Sequence, residues 1–100
     1  MSEKGILLLN YLDKQRKMNY VTVDGKLLMI TMGTSNKVAY MKENDKVELQ
    51  FGEEKVLAKP EIINDAKEVK DLFEVMNAKG NNHFKAFNER FVAVKFEVLA

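Results

Sequence analysis

The chain has no cysteine, no tryptophan and only one proline among its 100 residues. Because cysteine is absent, disulfide bridges, zinc–thiolate centres and thiol nucleophiles are excluded. The 16 basic and 15 acidic residues leave a net charge of +1, so the basic surplus that nucleic-acid or membrane-surface binding requires is missing. Apolar runs such as residues 6–9 are far too short to cross a membrane and lack the flanks of a signal peptide.

What the sequence does contain is enough apolar material for one folded domain. Hydrophobic residues make up 46% of the chain and charged residues 31%, so we expect a packed core and not disorder. A domain of this size buries only about 60–65% of its unfolded surface, so a partner subunit would add to its stability. We expect a single domain over residues 1–100, located in the cytoplasm, with no nucleic-acid partner, no membrane partner and no metal site.

Three strands are predicted in the first third of the chain. Residues 5–12 are short and apolar, and residues 18–23 are rich in β-branched and aromatic side chains. Asp24-Gly25 follows, which is the strongest short signal for a hairpin, because a type I′ turn needs positive φ at both central positions. Residues 26–31 then form the returning strand, antiparallel to the one before it.

The remaining strands are predicted from alternation. Residues 46–51 alternate between apolar and polar side chains. Residues 56–64 form a further strand, in which Pro60 cannot donate a ladder hydrogen bond and must lie at an edge, a bulge or a bend. The final strand, residues 91–99, places four apolar side chains on one face: Val92, Val94, Phe96 and Val98.

Two helices separate these strands. In residues 34–44 the apolar side chains are spaced as in a helix, with lysine and glutamate on the outer face. The second helix is predicted over residues 65–79, with Asp65 as its N-cap, Glu68 in the position of a capping-box partner and Gly80 at its end. Its apolar stripe consists of Val69, Leu72, Phe73 and Met76.

The predicted order is β-β-β-α-β-β-α-β, a mainly β (β+α) fold. Three consecutive strands with short links favour an antiparallel sheet that curls, and six strands in so short a chain favour a barrel, because closure removes exposed edges. The polar residues 81–90 are expected to form one helical turn that packs on the sheet. Both faces of residues 6–9 are apolar, so something outside the barrel must cover one of them.

The stretch Thr-Met-Gly-Thr-Ser-Asn-Lys, residues 31–37, is the main candidate for a site. A helix that begins at Thr34 or Ser35 presents free N–H groups and the positive end of a dipole, so it can bind a phosphate. The two hydroxyls and the Lys37 ammonium would assist, and Gly33 would let the backbone approach closely. The alternative is an ordinary helix cap, which the spacing alone favours.

The residues around this stretch resemble a known family. A hairpin ending in DGKLLMIT, then GTSNK, then the helix and strand VAYMKENDKVELQF are similar to the pyridoxamine 5′-phosphate oxidase-like family of flavin-binding split barrels. In that family a strand ending in Thr is followed by Ser-x-Lys at a helix start and by Asn-x-Arg/Lys-Val before an apolar strand. The matching positions are Thr31, Ser35, Lys37, Asn44, Lys46, Val47, Leu49 and Phe51.

The resemblance implies a six-stranded antiparallel split β-barrel that forms a homodimer and binds flavin mononucleotide (FMN) in two clefts at the subunit interface. It implies an FMN-dependent oxidoreductase whose substrate is unknown. The alternative is a ligand-free dimeric barrel with an interaction or regulatory role. The cofactor-binding residues that the resemblance nominates are Arg16, Lys17, Thr31, Ser35, Asn36 and Lys37, where Asn36 stands in a position that is often arginine in the family.

Two aromatic features have alternative interpretations. His83 is the single histidine, so it cannot form a histidine-rich metal site alone; it has either no role or one that uses its proton chemistry near neutral pH. Phe84, Phe87 and Phe91 either pack in the core or contact the edge of a flavin bound by a partner subunit.

Overall fold

The fold is described from a computed structural model, which describes residues 3–99. Its elements, in chain order, are β1 (Lys4–Tyr11), β2 (Lys14–Val23), β3 (Lys26–Met32), α1 (Asn36–Glu43), β4 (Val47–Phe51), β5 (Glu54–Ile63), α2 (Ala66–Ala78) and β6 (Phe91–Val98). The predicted order of strands and helices is confirmed.

The strands close into a barrel in the order β1-β2-β3-β6-β5-β4, and each neighbouring pair with a register is antiparallel. The predicted six-stranded antiparallel barrel with two helices is therefore confirmed. Short links place β1 beside β2, β2 beside β3 and β4 beside β5, because consecutive strands joined by tight turns pair as hairpins. Within the described residues, neither helix is long and apolar enough to cross a membrane.

Alternation along the strands divides the apolar residues between two cores. Leu27 and Met29 of β3 point into the barrel, whereas Leu28 and Ile30 point outwards against α2. All four side chains are buried, and burying a side chain of this kind contributes about 1.5–3 kcal/mol. β3 thus joins a barrel core, which α1 also enters, to a second core under α2.

The barrel wall is split between β2 and β3. These strands pair over residues 21–23 and 26–28. Residues 14–21 of β2 pair with β1, and residues 27–32 of β3 pair with β6. The first half of β2 and the second half of β3 therefore diverge, which opens the wall close to the start of α1.

β2 is longer than the sequence indicates. It begins at Lys14, well before the predicted start. Its first half is polar, so strand propensity underestimates it, but pairing with the apolar β1 holds it in the sheet. The register places Arg16 opposite Leu9 and Lys17 opposite Leu8. Arg16 and Lys17 are therefore exposed strand residues.

Pro60 lies in the part of β5 that pairs with β6 but not with β4. The register of β5 with β4 ends at Ala58, whereas its register with β6 runs on to Ile63 and places Pro60 opposite Phe96. A strand with one paired side needs no N–H on its other side, so a proline fits there. Of the three predicted alternatives, the edge position is the one observed.

Residues 81–90 form no helix, so the predicted helical turn is wrong. α2 ends at Ala78 and is followed by its C-cap Lys79 and by Gly80, whose φ of 76° is left-handed. This conformation lets the Gly80 N–H donate to the Asn77 carbonyl (3.0 Å) and the Asn81 N–H donate to the Met76 carbonyl (3.2 Å). The two hydrogen bonds close α2 and turn the chain away from the helix axis, so the following connector is not a continuation of the helix.

Aromatic packing holds the connector, residues 81–90, against the second core. The Phe84 ring centroid lies 4.4 Å from that of Phe91, and the Phe87 centroid lies 5.7 Å from that of Phe73. Phe73 and Phe91 are buried members of that core, and Phe84 and Phe87 pack against it. Core packing is therefore the interpretation that these phenylalanines support.

Candidate functional site

A cleft of about 180 Å³ opens at the split in the barrel wall. β2 contributes Lys17, Met18 and Asn19 to its lining, and β3 contributes Ile30 and Thr31. Because the strands diverge here, side chains from both surfaces of the wall reach the same space.

The other wall of the cleft comes from the helices and the connector. α1 contributes Lys37, α2 contributes Met76, and the connector contributes Asn82, His83 and Phe84. Met76 and Phe84 belong to the second core or pack against it. The cleft thus extends from the start of α1 to the outer core under α2.

The charges in this cleft have one sign. Its described lining includes the ammonium groups of Lys17 and Lys37 and the imidazole of His83, together with amides and a hydroxyl, and no carboxylate. In a partly dehydrated space such a lining favours an anion. Among residues 3–99, no cluster of three or more histidine or acidic side chains could hold a metal ion.

Lys37 is the cation of the cleft whose pKa the fold changes. Burial lowers the pKa of Lys37 from its ordinary value; the Tyr11 phenol acts to raise it, and the Arg16 guanidinium acts to lower it again. The ammonium form is therefore less favourable here than in water. A bound anion would offset this effect, because an opposite charge nearby favours protonated lysine.

Thr31 is the buried polar residue of the cleft. It is 5% exposed, and among residues 3–99 no other polar or charged residue, tyrosines aside, is buried to this degree. Its backbone pairs with Val92 of β6, so the sheet sets its position. The sheet therefore fixes the backbone of a buried hydroxyl-bearing residue in the lining of the cleft.

Ser35 precedes α1 but does not cap it with its side chain. It has the extended N-cap conformation (φ −71°, ψ 153°), and its carbonyl accepts a hydrogen bond from the Ala39 N–H at 3.3 Å. The hydroxyl makes no cap hydrogen bond, and Oγ is buried without a partner. Leaving a buried polar group unpaired costs about 1–3 kcal/mol, so an ordinary side-chain cap does not explain this serine.

Gly33 is explained by packing. Its N–H donates to the Arg90 carbonyl at 2.8 Å. A Cβ at this position would lie 3.1 Å from that oxygen and 3.1 Å from Cγ1 of Val92. The missing side chain makes room for the chain that enters β6, and the close approach of a phosphate to Gly33 stays a prediction.

Three of the six residues nominated from the sequence line the cleft. Lys17, Thr31 and Lys37 line it together. Arg16 is exposed, and its guanidinium acts on the charge of Lys37. Ser35 lies at the start of the helix that contributes Lys37. The cofactor-binding roles of these residues stay predictions.

Asn36 lies elsewhere. It is exposed and borders a separate groove with Tyr11, Lys14 and Tyr40. Successive residues of an α-helix point roughly 100° apart, so Asn36 and Lys37 face different sides of α1. The fold does not bring Asn36 into the cleft.

Some lining residues were not identified from the sequence. Asn19 lies two residues from Lys17, so strand alternation would have placed both on one face once this half of β2 was recognised as strand. Asn82 had no such signal, because the connector has no periodicity and its path depends on contacts with distant elements.

Comparison with solved structures identifies the architecture. A candidate pyridoxamine 5′-phosphate oxidase from Listeria innocua matches with a TM-score of 0.68 and 14% identity, over 97% of this chain and 84% of the other. A NimC/NimA family protein from Clostridium acetobutylicum matches with a TM-score of 0.63 and 17% identity, over 91% of this chain and 70% of the other. The chain has the split-barrel fold of pyridoxamine 5′-phosphate oxidase-like proteins.

This split-barrel fold is the one that the sequence resemblance implies. No protein-family model and no curated protein matches the chain. At identities of 14% and 17%, the two structures establish the fold and leave the ligand to be argued from the site.

Proposed function

We propose that this protein binds FMN, with the phosphate at the start of α1 and the rest of the molecule in the cleft. The observation behind the proposal is the Ser35 hydroxyl, which is buried at the N-terminus of α1 without a hydrogen-bond partner. A phosphate oxygen would accept a hydrogen bond from this hydroxyl, from N–H groups of the first helical turn and from the Lys37 ammonium.

The charges fit a phosphate as well. The charged side chains of the described lining, Lys17 and Lys37, are both cations. The lowered pKa of Lys37 would be restored by a neighbouring dianion. The likeness to a candidate pyridoxamine 5′-phosphate oxidase supports a flavin as the molecule that bears this phosphate.

The size of the cleft supports a homodimer. Its volume of about 180 Å³ is below the roughly 300–1,000 Å³ of ordinary ligand pockets, so one chain encloses only part of a flavin. A second copy would supply the remaining wall of each of two symmetric sites. It would also cover apolar side chains on the outside of the barrel, where Ile6 is 60% exposed and Leu57 is 51% exposed.

The proposed activity is that of an FMN-dependent oxidoreductase. A bound flavin supplies the electron transfer, and the protein binds it, orients it and tunes its surroundings. In this chain, Ser35 and Lys37 would hold the phosphate, and Thr31 would offer a hydrogen bond from a position fixed by the sheet. Met76 and Phe84 would exclude water from the other end of the cleft.

The phosphate assignment is tested by comparing FMN with riboflavin, which has no phosphate. Lys37→Ala should weaken FMN binding roughly 10- to 100-fold, because hydrogen bonds to charged groups contribute about 1.5–3 kcal/mol. Riboflavin binding should change little. Titration calorimetry gives both dissociation constants, and Lys42→Ala, in the last turn of the same helix, is the matched control. Equal losses for the two ligands would contradict the assignment.

Flavin binding itself is tested on the unmodified protein. FMN at 100 times its dissociation constant should add about 2.7 kcal/mol to the free energy of unfolding, and light scattering should give the mass of a dimer. A monomer that binds FMN would contradict sites at an interface. A dimer that FMN does not stabilise would instead support the second candidate, a ligand-free interaction module, which the exposure of Ile6 and Leu57 favours.

A further inference from the structure

The connector is tied to the barrel immediately before His83. Asn81 Nδ2 donates hydrogen bonds to the carbonyl oxygens of Gly5 and Tyr20, both at 2.8 Å. Gly5 and Tyr20 lie opposite each other in the register of β1 and β2. The side-chain amide group of Asn81 therefore fixes the connector to both strands at the edge of the split.

The connector is also tied to α2 and the second core. Asn82 Nδ2 donates to Asn77 Oδ1 at 2.9 Å, and Asn82 Oδ1 accepts from the Phe84 N–H at 3.1 Å. The Phe84 ring packs on Phe91 with a centroid distance of 4.4 Å. Asn82 thus lines the cleft, but its amide is used within the protein.

His83 differs from the residues on either side of it. It lines the cleft and is exposed, and its ring meets the Phe84 ring edge-on at a centroid distance of 5.0 Å. Within residues 3–99 its imidazole nitrogens make no hydrogen bond. Because both neighbours are anchored, a ligand can use this imidazole without first ordering the backbone that presents it.

The two ends of the cleft differ in chemistry. At the α1 end, Lys37 and Thr31 offer charge and a hydroxyl. At the connector end, His83 stands beside Met76 and Phe84, which belong to the apolar packing under α2. An apolar surface with one imidazole suits an aromatic ring with polar edge atoms better than it suits a phosphate.

We propose that His83 contacts the ring portion of the bound flavin, at the opposite end of the cleft from the phosphate. The inference rests on the proposed function and deepens it, because it assigns a second contact of different chemistry. Imidazole donates and accepts hydrogen bonds and exchanges a proton readily. His83 therefore places a group that can donate or accept a hydrogen bond beside the part of the flavin that transfers electrons.

The test measures FMN and riboflavin binding to His83→Ala and His83→Gln. His83→Ala should weaken both ligands by the same factor, about 2- to 10-fold, because a typical hydrogen bond contributes about 0.5–1.5 kcal/mol. The visible absorption bands of the bound flavin should shift, and His83→Gln should recover part of the affinity. Lys85→Ala is the matched control, an exposed cation in the same connector that does not line the cleft.

Each outcome separates this inference from the proposed function. If the wild-type protein binds flavin and His83→Ala leaves both affinities and the spectrum unchanged, the inference is overturned and the proposed function stands. A loss confined to FMN would also overturn it, since that result would put His83 at the phosphate. If the wild-type protein binds neither flavin, the proposed function itself fails. Equal melting temperatures of His83→Ala and wild type show that the fold is intact.

Discussion

α2 begins with a side-chain cap, whereas α1 does not. At α2, Asp65 Oδ2 accepts the Glu68 N–H at 3.0 Å, and Glu68 places a second carboxylate in the first turn. At α1, the Ser35 hydroxyl is buried without a partner, and the first turn contains no acidic residue. One helix start is complete within the chain, and the other lacks both a cap and a negative charge.

The difference matters because the N-terminus of a helix bears a partial positive charge. Asp65 and Glu68 complement that charge at α2. The first turn of α1 instead contains Lys37, and a cation there opposes the helix dipole by about 0.3–1 kcal/mol. The start of α1 is thus an arrangement that is unfavourable without a ligand and that an anion would complete.

The largest expected effect is on FMN binding to Ser35→Ala. If the hydroxyl bonds the phosphate, its loss should weaken FMN binding about tenfold or more, in line with 1.5–3 kcal/mol for a hydrogen bond to a charged group. Fluorescence titration measures the constant. Lys42→Ala, in the last turn of the same helix, is the control and should leave FMN binding unchanged. If Ser35→Ala binds FMN as tightly as the wild type does, the Ser35 hydroxyl does not contact the phosphate. The start of α1 would then have no ligand-binding role that distinguishes it from the start of α2.

The next effect is on stability without ligand, and here the two helices should respond differently. Asp65→Ala should lower the free energy of unfolding by about 1 kcal/mol, the usual cost of a lost N-cap. Ser35→Ala should instead raise it, by up to about 1–3 kcal/mol, because the substitution removes a buried hydroxyl that has no partner. Urea denaturation measures both, with the exposed Asp71→Ala in mid-helix as the control. Similar losses at the two positions would show that Ser35 is a cap after all.

The smallest effect is a pH-dependence of FMN affinity. The pKa of Lys37 is lowered in the free protein, and a phosphate beside it would raise that pKa. Below the lowered value the lysine is already protonated, so affinity is full; above it, binding must take up a proton, so affinity falls as pH rises. Titrations at increasing alkaline pH should show this fall for FMN and not for riboflavin or for Lys37→Ala. A parallel fall for riboflavin would assign the effect to another group.

Local signals made part of the fold predictable. The Asp24-Gly25 turn, the Asp65 cap and the Gly80 ending each depend on residues close in sequence, and all three are observed. The split was not predictable, because it depends on where β2 stops pairing with β3. That point depends on two other strands: β1 pairs with β2, and β6 pairs with β3, and both pairings draw these strands away from each other. The connector could not be placed for the same reason.

The candidate site was predictable to a similar extent. The hydroxyl-and-lysine pattern at the start of α1 is compatible with a phosphate site, but its spacing alone favours a helix cap. The resemblance of the neighbouring segments to a known family is what nominates Ser35 and Lys37. Asn36 was nominated from its place in that pattern, but helical rotation turns it to another groove. His83 could not be assigned, since only the folded connector brings it to the cleft.

The hydrogen bond from Asn81 to Gly5 joins residues that are 76 positions apart. Contacts of such long sequence separation close large loops and form slowly, because the chain must lose much conformational entropy first. We therefore expect the connector wall of the cleft to be among the last features to form during folding. Binding competence would then arise at the end of folding, after the hairpins β1–β2, β2–β3 and β4–β5, whose strands lie close in sequence, have paired.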